Sequence, residues 1–171
     1  IDIAPTMIRL AENKYPSGHF RVGRMDDLSG YHHESFHVVV SLSGALSYAL
    51  NIESVLAEIY RVLKPEGRIF LSVYSRWSTR RILRARFRKL EQYSTRNSSA
   101  SEGVPTRMLT VMEIKEALQQ AGFSSVVIAG QGVFSGVLER KIIWKLDSQI
   151  AKHIPSLCHL LIVCGEKGGN K

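Results

Sequence analysis

The sequence predicts an alternating α/β domain with a mostly parallel sheet. Runs rich in β-branched residues alternate with stretches in which apolar residues recur every three or four positions. The first pattern is typical of strands buried in a sheet, and the second of helices that pack on one. At 171 residues and 44% hydrophobic residues, the chain is long enough for one hydrophobic core, and we expect a single domain spanning residues 1–171.

The first elements are short. A strand ends at residues 1–3, a helix with apolar residues at helical spacing covers residues 6–14, and a second short strand covers residues 19–23. Residues 35–42 (SFHVVVSL) have a continuous apolar centre. This pattern predicts a central strand buried on both faces.

The next helix begins at Asn51, a good capping residue, and carries an apolar stripe that faces a sheet. Residues 64–67 (KPEG) should end this helix before a strand over residues 68–74. A helix over residues 79–92 and a polar loop over residues 94–101 are expected to follow.

Thr110 and Glu113 fit a capping box at the start of a later helix, which Gly122 should end in a left-handed conformation. Residues 123–129 are then a strand and residues 139–153 mostly a helix. Pro155 ends that helix. A short loop would make the last strand, over residues 159–165, antiparallel to its neighbour.

The net charge of +8 is concentrated in one segment. Residues 76–96 contain eight cations and one acid, whereas the remainder carries 15 basic and 14 acidic residues. A nucleic-acid-binding role for the whole surface is therefore disfavoured.

Two lone thiols, Cys158 and Cys164, match neither a disulfide framework nor a zinc site, so a reducing cytoplasm is the expected compartment and no metal is expected. No apolar run approaches the roughly 20 residues that span a bilayer. No transmembrane segment is expected.

Five stretches in this order resemble class I S-adenosylmethionine-dependent methyltransferases of the small-molecule type. They are IDIAPTMIRLAENKYP, FRVGRMDDL, FHVVVSLSGALSY, VLAEIYRVLKPEGRIFLSVYS and LTVMEIKEALQQAGF. The resemblance implies a Rossmann-like, doubly wound, mostly parallel sheet with an antiparallel last strand. It also implies S-adenosyl-L-methionine as cofactor and transfer of its methyl group to a small-molecule acceptor by in-line displacement at the carboxyl edge of the sheet.

The family's first strand and glycine-rich loop have no counterpart here. The first residues resemble the end of the family's second strand, so the sequence is expected to begin late by about forty residues, one strand-helix unit. Without the missing strand, residues 35–42 and 1–3 would expose unpaired apolar edges. We therefore expect an N-terminally truncated domain.

The resemblance places Asp2 on the ribose hydroxyls of the cofactor, because a carboxylate accepts hydrogen bonds from both. The alternative is that Asp2 only caps the helix that follows. Ile3, beside it, would pack on the adenine face or belong to an ordinary core.

Residues 24–26 follow the next strand, where the family often has an aspartate that accepts from the adenine amine. Here that position is Arg24, which has no acceptor, so the contact is lost or moves to Asp26. Met25 could offer its backbone N–H and an apolar wall. Asp26 and Asp27 as turn formers are the equal alternative.

Ser41 and Leu42 end the strand at the edge where sulfonium and acceptor should meet. The sequence does not identify a general base. His32, His33, Tyr48 and Tyr74 are expected near loops at this edge, as surface or core residues. His37 is the only histidine in the strand predicted over residues 35–42, and it is expected to be a core residue and not a catalyst.

An insertion at about residues 76–107 would form a basic lid. Its arginines would recognise an anionic acceptor, since guanidinium groups match carboxylate and phosphate. The alternative is a solvated face on a helix whose residues Ile82, Leu83, Phe87 and Leu90 pack on the domain; a membrane-surface helix is a further option. An RNA or tRNA methyltransferase using this helix, and a non-catalytic methyltransferase-like adaptor, are the alternative functions.

The truncated domain leads to a first prediction. Residues 1–171 alone should fold poorly and bind no cofactor, because the glycine-rich loop that approaches the cofactor is missing. Isothermal titration calorimetry with S-adenosylmethionine checks this expectation, and measurable binding would contradict it.

Overall fold

The computed structural model describes residues 1–87, 106–133 and 141–169. These ranges contain five α-helices and four strands, which alternate except that α3 and α4 follow one another. In order they are α1 (Pro5–Lys14), β1 (Phe36–Ser41), α2 (Ile52–Val62), β2 (Leu63–Tyr74), α3 (Thr79–Phe87), α4 (Val111–Gln120), β3 (Phe123–Gln131), α5 (Lys141–His153) and β4 (Leu160–Lys167). Short 3₁₀ helices cover Ala45–Tyr48 and Pro155–Leu157.

The four strands form one mixed sheet in the order β1-β2-β4-β3. Strands β1 and β2 pair in parallel, and β4 is antiparallel to both β2 and β3. Three strands therefore run in one direction and the last runs against them. This confirms the predicted α/β class with an antiparallel last strand.

Strand β2 lies inside the sheet, between β1 and β4. Its residues Ile69, Leu71 and Val73 are fully enclosed and alternate along one face. They pack with the apolar face of α2 and with Ile114 and Leu118 of α4 in a single core. The apolar periodicity of α2 and α4 predicted both packing faces correctly.

The predicted caps are present. The Asn51 side chain accepts a hydrogen bond from the Ser54 N–H at the start of α2. Thr110 and Glu113 exchange both bonds of a capping box at the start of α4, and Gly122 follows this helix at φ 95°. Each of these residues satisfies backbone groups that a helix end leaves unpaired.

Helix α2 ends before residues 64–67, as predicted, but the strand begins earlier than the predicted residue 68. These residues belong to β2, which begins at Leu63 directly after α2. Leu63 pairs with Phe36 of β1, and the register then shifts before Val38. Glu66, at φ 63°, accommodates the irregularity inside the strand.

Strand β1 is not buried on both faces as predicted. It forms the end of the sheet, and Val38 and Val40 are 47% and 58% exposed. No described element covers the face on which these two residues lie. The expected unpaired apolar edge at this strand is confirmed. His37, also exposed, contacts Lys64 at 3.3 Å and is not the core residue that was predicted.

The predicted strands at residues 1–3 and 19–23 reduce to a single parallel bridge between Asp2 and Val22. Helix α1 buries only Ile8, while Met7 and Leu10 stay exposed.

Helix α3 is oriented differently from the sequence prediction. Ile82 and Leu83, expected to pack on the domain, are 47% and 45% exposed, whereas Arg80 and Arg81 are half-buried. The basic helix was predicted to reach residue 92. Residues 88–105, which include the rest of it and the polar loop, lie outside the described residues, as do the side chains of residues 84–87.

A smaller hydrophobic cluster joins α5 to the second 3₁₀ helix through Val133, Ala151 and Cys158. Burial raises the pKa of the Cys158 thiol to about 11. Within the ranges that the structure describes, no helix is long and apolar enough to cross a membrane.

The position of α2 yields a matched stability test. Leu56 is fully buried and Leu50 is 71% exposed. In the full-length gene product containing these residues, Leu56→Ala should lower the free energy of unfolding by about 2–5 kcal/mol. Leu50→Ala should change it by less than about 0.5 kcal/mol. Urea denaturation measures both, and equal effects would contradict the core.

Candidate active site

The carboxyl edge at residues 1–3 is joined to the following loop by the Asp2–Val22 bridge. The Asp2 N–H donates to the Arg21 carbonyl at 3.2 Å, and the Gly23 N–H donates to the Asp2 carbonyl at 2.9 Å. Because the pairing is parallel, the side chains that follow each segment emerge at the same edge. Asp2 and residues 24–26 are thus brought together.

One oxygen of the Asp2 carboxylate accepts a hydrogen bond. Its Oδ1 accepts from the Ala4 N–H at 2.8 Å, directly before α1. The N-cap of α1 is Ala4, and no described side chain caps this helix, so the capping alternative is wrong: Asp2 closes a turn that precedes the helix. The side chain is exposed, and Oδ2 accepts no hydrogen bond from the described residues. Ile3 is 67% exposed, so the ordinary-core alternative for Ile3 is wrong.

Arg24 and Asp26 form a bidentate ion pair. Arg24 Nε donates to Asp26 Oδ1 at 2.8 Å, and Nη2 donates to Oδ2 at 2.7 Å. The hydrogen bond from Arg24 lowers the pKa of Asp26. Both oxygens of Asp26 already accept hydrogen bonds, so an adenine amine would have to share one of them. Asp27 accepts from the Ser29 N–H, which is the turn-forming role predicted for it.

A second ion pair, on α2, holds the same loop to the core. Glu58 Oε2 accepts from the Leu28 N–H at 2.9 Å. Arg61 donates to the carbonyls of Leu28 and Tyr31 at 2.8 and 2.9 Å, and its Nε donates to Glu58 at 2.8 Å. Met25 packs against the core beside these residues. The sequence prediction missed this pair, although the i, i+3 spacing of the two opposite charges was a signal for it.

The turn after β1 has an unusual backbone. Ser43 and Gly44 have successive positive φ angles of 59° and 75°. The Gly44 N–H donates to the buried Ser72 Oγ at 2.8 Å. A Cβ on Gly44 would lie 2.8 Å from Cζ of Tyr74, so this position requires glycine. Ser41 and Leu42 end the strand here, half-buried and exposed respectively. In the described part of the chain, no strand pairing joins them to residues 1–3.

Tyr74 is the centre of an aromatic and cationic cluster at the end of β2. Its ring centroid lies 6.1 Å from that of Tyr48, 5.2 Å from that of His159 and 5.7 Å from the Arg81 guanidinium. Burial and the hydrogen bond with Tyr48 raise the pKa of Tyr74. Tyr48 and Tyr74 therefore lie at the predicted edge.

His32 and His33 do not lie at this edge. Both are exposed and precede β1, so they lie at the amino-terminal end of that strand. In the stretches 1–87, 106–133 and 141–169, no cluster of His, Cys, Asp and Glu could hold a metal ion.

Comparisons with known proteins identify the fold. Residues 1–71 match the family model described as a methyltransferase domain. Three solved structures cover nearly all of the chain. A complex of the Haloferax volcanii Trm112 methyltransferase activator with a putative methyltransferase matches at 20% identity and a TM-score of 0.65, over 97% of this chain and 70% of that one.

A Methanosarcina mazei S-adenosylmethionine-dependent methyltransferase matches at 19% identity and a TM-score of 0.64, over 99% of this chain and 81% of that one. A possible histamine N-methyltransferase from Thermotoga maritima matches at 18% identity and a TM-score of 0.62, over 93% and 69%. This chain has a class I S-adenosylmethionine-dependent methyltransferase fold. No curated protein matches its sequence.

The methyltransferase fold and the matched segment confirm the resemblance stated from the sequence. The loop of residues 24–31, which Glu58 and Arg61 hold, falls inside the matched segment, as do both ends of the Asp2–Val22 bridge.

The Glu58–Arg61 pair predicts a pH-dependent stability. The hydrogen bond from Arg61 lowers the pKa of Glu58 despite the opposing effect of burial. A carboxyl whose pKa is lowered by folding stabilises the protein above its unfolded pKa and loses this effect as pH falls through the folded pKa. Glu58→Gln should therefore cost about 1 kcal/mol at pH 7 and progressively less below about pH 4.

Urea denaturation across this pH range measures the difference. Glu12→Gln, at an exposed position on α1, is the control and should leave the profile unchanged. A constant difference between Glu58→Gln and the unchanged protein at all pH values would contradict the assignment.

Proposed function

We propose that this protein transfers the methyl group of S-adenosylmethionine to a small-molecule acceptor. The observation that carries the proposal is the parallel Asp2–Val22 bridge. It brings a free carboxylate oxygen and the loop of residues 24–26 to one edge, inside the segment that matches a methyltransferase domain. Ligands of open α/β sheets bind at the carboxyl ends of the strands.

In this proposal Asp2 binds the ribose. Its free Oδ2 and its exposure leave it able to accept from a hydroxyl while Oδ1 continues to accept from Ala4. A carboxylate has two acceptor oxygens, so both roles are compatible.

The adenine would lie between Ile3 and Met25. Ile3 offers exposed apolar surface next to Asp2, and Met25 offers a backbone N–H on the neighbouring loop. The Arg24–Asp26 pair fixes this loop from outside, and Glu58 and Arg61 fix it from the core side. Preorganisation of this kind reduces the entropy lost on binding.

The acceptor would meet the methyl group at the turn after β1. When bound, S-adenosylmethionine supplies an electrophilic methyl group on a sulfonium, which an acceptor lone pair displaces in line. Ser41, Leu42 and the glycine turn place backbone groups at this point, and Ser72 holds the turn in position. Such a reaction depends mainly on positioning and on exclusion of water.

Substitution of Asp2 tests the cofactor site. Asp2→Ala removes both proposed roles, whereas Asp2→Asn keeps an oxygen that can accept from Ala4, since the amide oxygen of Asn is an acceptor. In the full-length gene product both variants should bind S-adenosylmethionine about tenfold more weakly, the loss of about one charge-assisted hydrogen bond. Calorimetry measures the affinity.

If Asp2 only closes the turn before α1, Asp2→Asn will bind S-adenosylmethionine like the unchanged protein and only Asp2→Ala will bind it more weakly. Glu12→Gln, an exposed acid on α1 outside the proposed site, is the control for the loss of one negative charge.

A further inference from the structure

The inner side of α3 is cationic where an apolar side was expected. Arg80 and Arg81 are half-buried while the neighbouring Ile82 and Leu83 are exposed. Burying a guanidinium costs free energy unless it is paired, so an inward arginine needs a reason.

Among the described residues, neutral groups position Arg81. Its Nη1 donates to the Ser75 carbonyl, and its guanidinium lies over the Tyr74 ring at 5.7 Å. No carboxylate in the described residues forms an ion pair with it, and Arg80 adds a second positive charge. Burial accordingly lowers the pKa of Arg81, which means that its charge is incompletely compensated.

Two further polar atoms at the start of α3 have no partner in the described residues. They are the Oγ of Ser78, a fully buried residue, and the buried Nε of Arg80. Buried polar atoms are nearly always hydrogen-bonded, so unpartnered ones mark positions where a ligand would complete the bonding. The first turn of a helix adds backbone N–H groups and a positive dipole end.

This group of residues lies beside the proposed methyl-transfer point. The Tyr74 ring contacts Gly44 of the β1 turn and also the guanidinium of Arg81. One aromatic ring therefore separates the turn from the unpaired cation. Thr79 donates to the Val133 carbonyl, which anchors the start of α3 in this position.

We propose that Arg81, with Arg80 and the first turn of α3, binds an oxyanion carried by the methyl acceptor, a carboxylate or a phosphate. This inference rests on the proposed function, which supplies the acceptor. A planar guanidinium matches both groups through paired N–H donors.

A small acid fits this site better than a polynucleotide. Arg81 is half-buried, so a ligand has to enter the edge to reach it. Arg76, the exposed cation of the same segment, is already paired with Glu113 at 2.8 Å. In the part of the basic segment whose side chains are described, residues 76–83, the unpaired positive charge thus faces inward.

Arginine modification of the unchanged full-length gene product tests the site without cofactor. Phenylglyoxal labelling, read by peptide mass spectrometry, is followed in chloride, acetate or inorganic phosphate at equal ionic strength. Acetate or phosphate should slow the labelling of Arg81 several-fold relative to chloride. Arg68, exposed in the middle of β2, should label equally in all three.

The stronger protecting ion distinguishes a carboxylate from a phosphate on the acceptor. Equal labelling of Arg81 in all three salts would overturn the proposal. So would protection of Arg81 by a single-stranded RNA oligonucleotide without protection by the small anions, which would indicate an RNA partner.

Variants provide the second measurement. Phosphate should raise the melting temperature of the unchanged protein. This rise should be lost in Arg81→Gln, because the apparent affinity for phosphate falls about tenfold or more. The rise should remain in Arg68→Gln, which removes the same charge elsewhere. An unchanged rise in Arg81→Gln would contradict the site, and if that variant does not fold, the labelling of the unchanged protein decides.

The two proposals can fail separately. Protection of Arg81 without S-adenosylmethionine binding would support the anion site and remove the methyltransferase function. S-adenosylmethionine binding without protection of Arg81 would support the methyltransferase function and remove the anion site.

Discussion

Burial of β2 is the constraint on which the rest of the structure depends. This strand pairs with β1 on one side and β4 on the other, and its inward residues are fully enclosed beneath α2 and α4. The packing of β2 therefore fixes the position of its carboxyl end, and two hydrogen bonds connect this end to the residues that follow β1. Ser72 accepts from Gly44, and the Tyr74 N–H donates to Ser47 Oγ at 2.8 Å. The turn after β1 is thus shaped by the neighbouring strand.

A second consequence concerns charge. Arginines near the sheet serve different purposes according to what surrounds them. Arg61 has a carboxylate partner and holds the loop of residues 24–31 to the core, and Arg24 has a carboxylate partner within the same loop. Arg81 has only carbonyl and aromatic neighbours among the described residues. Since an uncompensated buried charge is costly, the last case is the one that calls for a ligand. The same residue type therefore marks scaffold in two places and a candidate binding group in the third.

The elements that could be predicted were those with local signals. The stripe of α2, the capping box of Thr110 and Glu113 and the left-handed Gly122 each arise from contacts within a few residues. The failures were non-local. Residues 64–67 were expected to separate the helix from the strand, yet pairing of Leu63 with β1 places them in the strand. Val38 and Val40 look buried on both sides, yet burial depends on what packs above them, and no described element does.

The sequence by itself determined the α/β class, the fold resemblance and the grouping of candidate residues at strand ends, because periodicity, capping and motif order are local properties of a chain. Only the tertiary structure decided how those residues are used. In it, Asp26 forms an ion pair with Arg24. The loop at Leu28 is hydrogen-bonded to Glu58 and Arg61. Arg80 and Arg81 are half-buried, and Arg81 lies over the Tyr74 ring. Some of these contacts join residues more than thirty positions apart in the sequence, such as Arg61 and Leu28. The contacts between distant residues have no local signal, since the partner is set by the packing of whole elements on β2, whereas the Arg24–Asp26 and Glu58–Arg61 pairs join near neighbours in the sequence.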